Sequence, residues 1–261
     1  MKSNYIIGLL SLLTILISQS CEPVFYDRII GDGDQEIETR LVRDFNEVTH
    51  NGSFNIYVKQ DTLYELEVEA DDNLLPYIET YVRGDELIIE TEAHKRLISD
   101  NPIKVFVTMP AIEKLKLTGS GGISADYFVS DNLEITLTGS GEIYFDADAD
   151  ITDITTTGSG DIDGKLYTDK LTVDVTGSGD VELEGEANES DYVITGTGDI
   201  KSFDLPQKTN YSRITGTGDI RLTVEEYLEV TITGTGSLFY KGNPTVKQSI
   251  TGTGSVRNYN K

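Results

Sequence analysis

Apolar and polar residues alternate along most of this chain, and the alternation repeats on a longer period. In Lys170–Val181, Leu171, Val173 and Val175 alternate with Thr172, Asp174 and Thr176, the period-2 pattern of a half-buried strand. The same register recurs at Leu115, Leu117 and Ile123, and at Ile135, Leu137 and Ile143. Between these segments the tetrapeptide Thr-Gly-(Ser/Thr)-Gly returns eight times, with first glycines Gly119, Gly139, Gly158, Gly177, Gly196, Gly216, Gly234 and Gly252. The steps are 20, 19, 19, 19, 20, 18 and 18 residues, with no long helical pattern inside them. This predicts an all-β, single-stranded parallel β-helix (a β-solenoid) of about 19 residues per coil, with right-handed winding expected.

Continuing the alternation puts both glycines of each motif on the inner face. The second glycines are Gly121, Gly141, Gly160, Gly179, Gly198, Gly218, Gly236 and Gly254. They mark a tight corner with no room for a Cβ, and a positive φ is a further reason for glycine there. The residue two positions after each second glycine is apolar in all eight copies: Ile123, Ile143, Ile162, Val181, Ile200, Ile220, Leu238 and Val256. Stacked about 4.8 Å apart, these form one internal aliphatic ladder. A second, variable corner is expected at Asp163-Gly164, Glu184-Gly185, Pro206-Gln207 and Gly242-Asn243-Pro244.

The solenoid is predicted to span 41–261, with irregular coils over 41–115 and the eight repeats over 116–256. Strands are expected around Phe54–Val58, Tyr64–Glu69, Leu87–Glu90 and Ile103–Met109, a short helical turn near Pro76, and a polar loop over 93–101. A degenerate N-terminal stretch suits the need to cap the open end of a stack.

The first 20 residues begin with Lys2, run apolar from Ile6 to Ile17 and end in Ser18-Gln19-Ser20. This is the pattern of a secretory signal peptide, and its apolar run is too short to span a membrane. Cys21, the single cysteine, follows directly. Its position resembles that of the acylated cysteine of a bacterial lipoprotein, with Gln19 departing from the usual small residue. Residues 21–40, acidic and with Gly31 and Gly33, are expected to be a lipid-anchored tether. Removing the signal leaves 20 bases against 45 acids, a net charge of −25. Such a charge excludes nucleic acid as a natural partner and disfavours an anionic bilayer surface. Membrane contact is therefore expected through an N-terminal lipid only.

The run of T-G-S-G-(D/E)-(I/V) units, with Glu69–Leu75 and Ile78–Val82 upstream, resembles the family called putative auto-transporter adhesin, head GIN domain. The likeness covers residues 45–256. It implies a β-helical, extracytoplasmic protein, lipid-anchored in a Gram-negative envelope at the outer membrane or cell surface. It carries over no catalytic residue.

Four chemistries remain to be weighed. Glu142, Asp161, Asp180, Asp199 and Asp219 occupy one column in five successive coils. Carboxylates that close repel by about 1 kcal/mol per pair in water before screening. A bound cation, calcium above all, would relieve this, and so would capping of turn amides. Thr195, Thr215, Thr233 and Thr251 beside Thr197, Thr217, Thr235 and Thr253 make a T-x-T array resembling crystal-surface binders, though the intervening glycine argues for a corner. Parallel β-helices also include polysaccharide-processing enzymes, but His50 and His94 lie outside the repeats and no nucleophile elbow, metal cluster or phosphate loop is present. The aromatics Tyr127-Phe128, Tyr144-Phe145, Phe239-Tyr240, Tyr167 and Tyr192 can expose at most one ring of each adjacent pair as a sugar-stacking strip. The expected function is a non-enzymatic lipoprotein with an adhesin-like surface for an envelope or extracellular protein or glycan. A polysaccharide-processing or polysaccharide-binding β-helix is the alternative, and a cation- or crystal-surface binder a remoter one.

Overall fold

Every regular element among the described residues is a β-strand, apart from one 3-10 turn at Leu75–Tyr77. The computed structural model describes residues 26–260. The expected signal peptide and Cys21 lie outside them. The first nine strands are β1 (Asp27–Ile30), β2 (Gln35–Arg40), β3 (Glu47–Gly52), β4 (Asn55–Gln60), β5 (Glu65–Asp71), β6 (Ile78–Arg83), β7 (Glu86–Thr91), β8 (Lys95–Ile98) and β9 (Lys104–Met109). The repeats follow as β10 (Lys114–Gly119), β11 (Gly122–Gly139), β12 (Glu142–Gly158), β13 (Asp161–Gly177), β14 (Val181–Gly196), β15 (Ile200–Gly216) and β16 (Ile220–Gly234). The last coil and a half comprises β17 (Ser237–Lys241), β18 (Thr245–Gly252) and β19 (Ser255–Asn258).

Each of β11 to β16 is one coil, and the result is a parallel solenoid of about eight turns with about 19 residues per turn. Pairing follows the repeat: Glu142 lies beside Asp161, Ile143 beside Ile162, and Gly158 beside Gly177. The unequal steps are absorbed as local register shifts, between Ala125 and Phe128 in the first 20-residue step and between Ser202 and Pro206 in the second.

The two glycines of a motif are required for different reasons. Gly177 has φ +119, and a Cβ there would sit 2.2 Å from the carbonyl oxygen of Gly158 one coil back. That carbonyl accepts two hydrogen bonds, from the N–H of Ser178 at 2.8 Å and of Gly179 at 3.2 Å. Gly179 is not left-handed, but its Cβ would lie 2.1 Å from the Gly160 carbonyl oxygen. The second glycine is buried, as the alternation predicts. The first is only half-buried, being the corner itself.

The interior is aliphatic along most of its length, and the ladder Ile143, Ile162, Val181, Ile200, Ile220, Leu238 is buried throughout. It is interrupted by a polar network at β14 and β15. The Gln207 side-chain amide donates to Tyr192 Oη at 3.0 Å, Asn210 Nδ2 to Ser190 Oγ at 2.8 Å, and Ser212 Oγ to Asn210 Oδ1 at 2.5 Å. Burial pushes the Tyr192 phenol up to about 12, although Ser202, Gln207 and Ser190 pull it down. Because these groups are paired, burying them carries little penalty.

Several expectations need correction. Gly164 is not a turn residue but a buried strand position, left bare because a Cβ would lie 2.4 Å from the Phe145 ring. The supposed tether is part of the fold: β1 pairs in parallel with β8, and β2 pairs antiparallel with β5. The expected polar loop over 93–101 contains β8. These strands escape pattern reading because pairing rather than burial orders them, and β2 is exposed on both faces, Ile37 included.

The N-terminal region also departs from simple winding. β3 and β4 stack on β10 and β11 in the repeat register, with Gly52 beside Gly119 and Ile56 beside Ile123. Asn51-Gly52-Ser53-Phe54 is thus a degenerate copy of the corner motif. The next coil outward is β7 and β9, so the chain crosses back over β3 and β4 to begin the repeats. Antiparallel β6 and β5 close this end, covering edges that would otherwise template pairing with other chains. Asp71 pins the cap: its buried carboxylate accepts from Ser99 Oγ at 2.6 Å and Asn101 Nδ2 at 2.7 Å, and these donors hold it below the ordinary value.

Replacing Gly177 by Val should destabilise by ~1–3 kcal/mol through overpacking, and by more through its positive φ. Ser178→Val, one residue on and exposed, should change stability by about 0.5 kcal/mol or less. Denaturant melts of the two variants compare them directly, and equal losses would refute this account of the corner.

Candidate functional site

Because the interior is packed, chemistry is confined to the outward columns. The five carboxylates expected in one column do line up after the second glycine, but not as a bare row of like charge. Asp161 Oδ1 accepts the N–H of Asp180 at 2.9 Å, Asp180 Oδ1 that of Asp199 at 2.9 Å, and Asp199 Oδ1 that of Asp219 at 2.8 Å. Asp219 Oδ1 ends the ladder on the N–H of Ser237 at 2.8 Å. Glu142 heads the column without joining the ladder, since the N–H of Asp161 is given to the Gly141 carbonyl. Each bonded carboxylate caps an amide of the next coil where strand pairing lapses.

The column also has basic partners, although none stands at an equivalent position within it. Lys201 Nζ lies 2.7 Å from Asp180 Oδ2, and Arg221 reaches Asp199 at 2.8 Å and Asp219 at 3.3 Å. Both bases come from the neighbouring outward column, which an inspection of equivalent positions misses. Partial burial tends to raise the Asp180 carboxyl, but Lys201 and the Asp199 amide outweigh it and hold it below its ordinary value of 3.8. Among the described residues no three His, Cys, Asp or Glu side chains are grouped to hold a metal ion.

The neighbouring column runs Tyr144, Asp163, Glu182, Lys201, Arg221 in register across five coils. Beside it the wall opens into a groove of about 440 Å³, lined also by Gly164, Leu183 and Phe203. The buried Gly164 and the register shifts at Glu182/Glu184 and Ser202/Pro206 lie along it. Within it Asp163 and Glu182 face one another without an ion-pair partner among the described residues. Burial first, and then the charges of Glu182 and Asp161, push the Asp163 carboxyl up. Tyr144 is 52% exposed, while its sequence neighbour Phe145 is fully buried. Phe203 closes the far end, stacked on Tyr259 at 5.6 Å with Lys241 Nζ 4.3 Å from its ring centre.

The other candidates are less productive. The threonines before each first glycine are exposed, but the positive-φ corner turns them away from the hydroxyls that follow. Successive threonines do not bond one another among the described residues; a hydroxyl pair across coils occurs at Ser237 and Ser255, 3.1 Å apart. Of the other aromatics, Tyr127 and Tyr167 are exposed, and Phe128 and Tyr192 are core. His50 is core too, with Nδ1 3.1 Å from the Ile89 carbonyl oxygen and Nε2 3.0 Å from that of Phe54. Burial is the main influence on its pKa and lowers it.

The class that these features define is a closed-packed, acidic parallel β-solenoid whose charged groups lie on its outward columns. The family model of the putative auto-transporter adhesin, head GIN domain, matches residues 44–153 and 147–244, and the chain belongs to that family. A crystal structure of a putative lipid binding protein from Parabacteroides distasonis superposes with TM-score 0.86 at 27% identity, covering 90% of this chain and all of that one. A putative adhesin from Parabacteroides merdae gives 0.85 at 26%, again over 90% and 100%. A putative adhesin from Bacteroides fragilis gives 0.68 at 27%, over 88% and 99%. No curated protein matches the chain.

Asp180→Ala should cost about 1 kcal/mol, the net value of the lost amide hydrogen bond, whereas Asp180→Asn keeps the acceptor and loses only a surface ion pair of about 0–1 kcal/mol. Since the folded carboxyl lies below 3.8, its stabilisation is complete above that pH and disappears as the pH falls through the folded value. The gap between wild type and Asp180→Ala in urea melts should therefore narrow in strong acid towards that between Asp180→Asn and Asp180→Ala, because a protonated carboxyl keeps a carbonyl acceptor but loses its charge. A gap between wild type and Asp180→Asn that persists there would mean that charge is not what separates them.

Proposed function

We propose that this is a non-enzymatic envelope lipoprotein whose solenoid holds a binding surface away from the membrane. The observation that carries the reading is the uniformity of the exterior. The same corner returns in coil after coil, four successive aspartates cap amides in the same way, and no nucleophile, base and orienting group converge among the described residues. An active site requires such convergence. About eight turns at about 4.8 Å each give a rod of roughly 40 Å, and its lateral faces offer far more surface than its ends. The family's adhesin name and the names of the structural relatives support a surface role at a Gram-negative envelope. The pattern over residues 1–20 and the position of Cys21 support export and acylation, leaving only a few residues between the lipid and β1. Attachment would thus be close and through the N-terminal end.

Two measurements test this. Cys21→Ser should move the protein from the membrane fraction to the soluble one, and continued sedimentation with membranes at high salt would overturn lipid anchoring. Beads coated with residues 26–261 should be retained on at least one of mucin, collagen or fibronectin surfaces. Retention no better than that of albumin-coated beads on all three would overturn the adhesin reading.

A further inference from the structure

The lateral groove combines features that select for one class of ligand. Its acids, Asp163 and Glu182, are acceptors without a partner among the described residues, and they repel an anionic ligand. Its bases, Lys201 and Arg221, are already neutralised by the carboxylate ladder, so they offer spare N–H groups but little net charge. At one end Tyr144 holds an exposed ring without an aromatic partner among the described residues, and at the other Phe203 forms a wall stiffened by Tyr259 and Lys241. The side chains from Tyr144 to Arg221 are spaced at the coil repeat of about 4.8 Å, which is close to the length of one pyranose unit in an extended glycan.

We infer that the groove binds an uncharged, hydroxyl-rich saccharide chain lying along the solenoid axis. One pyranose stacks its C–H face on Tyr144. The following units donate hydroxyls to Asp163 and Glu182 and accept from Lys201 and Arg221, one side chain per sugar. Uncharged hydroxyl donors relieve the crowding of the two carboxylates, which a phosphate or carboxylate ligand would worsen. The groove is small and lined about equally by polar and apolar surface, a mixture that suits the hydroxyls and C–H faces of a few sugar units. Tyr127 and Tyr167, exposed elsewhere on the solenoid, line no part of it. This inference rests on the surface-presenting role proposed above and names the ligand class for one of its faces.

Cellohexaose and chitohexaose are the probes, titrated by calorimetry into the mature chain carrying Cys21→Ser and followed by chemical-shift changes. Saturable binding of at least one is expected at millimolar concentration or below. Tyr144→Ala should weaken it at least tenfold, and Glu182→Gln should weaken it measurably. Tyr127→Ala should leave it unchanged, and all three variants should melt with the wild type because the replaced side chains are exposed. Absence of saturable binding by both hexasaccharides would overturn the inference, as would binding that survives Tyr144→Ala or falls equally with Tyr127→Ala. Beads that still adhere to a protein surface while neither sugar binds would refute the saccharide and leave the adhesin reading standing.

Discussion

The fold depends on one contact, the approach of each corner glycine to the corner glycine of the coil before it. The carbonyl of the earlier glycine receives two N–H groups from the later coil, and the later glycine's α-carbon sits where any side chain would strike that carbonyl. A solenoid stacks identical turns, so a corner that could not close in one coil could not close in the next. Repeat energetics are set by nearest neighbours, and here the neighbour contact at the corner is backbone on backbone. The interior tolerates more variety: the column containing Leu117 and Leu137 continues as Thr156 and Val175, and whole positions give way to Ser190, Tyr192 and Asn210. At the corners of the eight repeats both glycines are kept throughout.

Charge is organised by the same stacking. A net charge of −24 on a rod of equivalent coils would set carboxylate over carboxylate, as the column of Glu142 and four aspartates illustrates. The structure uses the stacking instead. Where the strands part after the second glycine, each bonded aspartate caps the amide of the coil that follows, so the lapse in main-chain pairing and the excess of acid compensate one another. Lys201 and Arg221 then brace the ladder from the adjacent column. Asp163, outside this scheme, is raised by burial first and then by the charges of Glu182 and Asp161, and has no ion-pair partner among the described residues to compensate.

How much of this could be read from the residues follows from what period-2 patterning records. It records burial, so the eight coils, their inner ladder and the half-exposed aromatic pairs were all legible. So was the strand at Leu87–Glu90, but not its antiparallel partner β6, which follows directly on the 3-10 turn at Leu75–Tyr77. Patterning does not record pairing between exposed strands, which is why β1 and β2 read as tether and β8 as loop. Nor does it record stacking order: Asn51-Gly52-Ser53-Phe54 reads as an isolated turn until Gly52 is found beside Gly119, because Phe54 stands where the second glycine would be. The basic partners of the carboxylate column were hidden for a related reason. Lys201 and Arg221 sit two residues downstream of the column, and only the pitch of the coil brings them back onto Asp180 and Asp199.

These limits bear on where function is found in a repeat protein. The regular motif is constrained by its own neighbours at every step, and is therefore least free to acquire a ligand. Departures from the repeat are freer. The lateral groove lies where Gly164 leaves room inside for Phe145 and where register shifts near Glu182 and Ser202 put adjacent strands out of step. The polar network around Gln207 and Asn210 lies in the same coils. A ring such as Phe203 gains exposure there without breaking the interior, since the shift in register moves it off the packed face. Sites on this solenoid should therefore be sought at bulges and bare glycines of the wall, and not along the Thr-Gly-(Ser/Thr)-Gly edge that makes the sequence conspicuous.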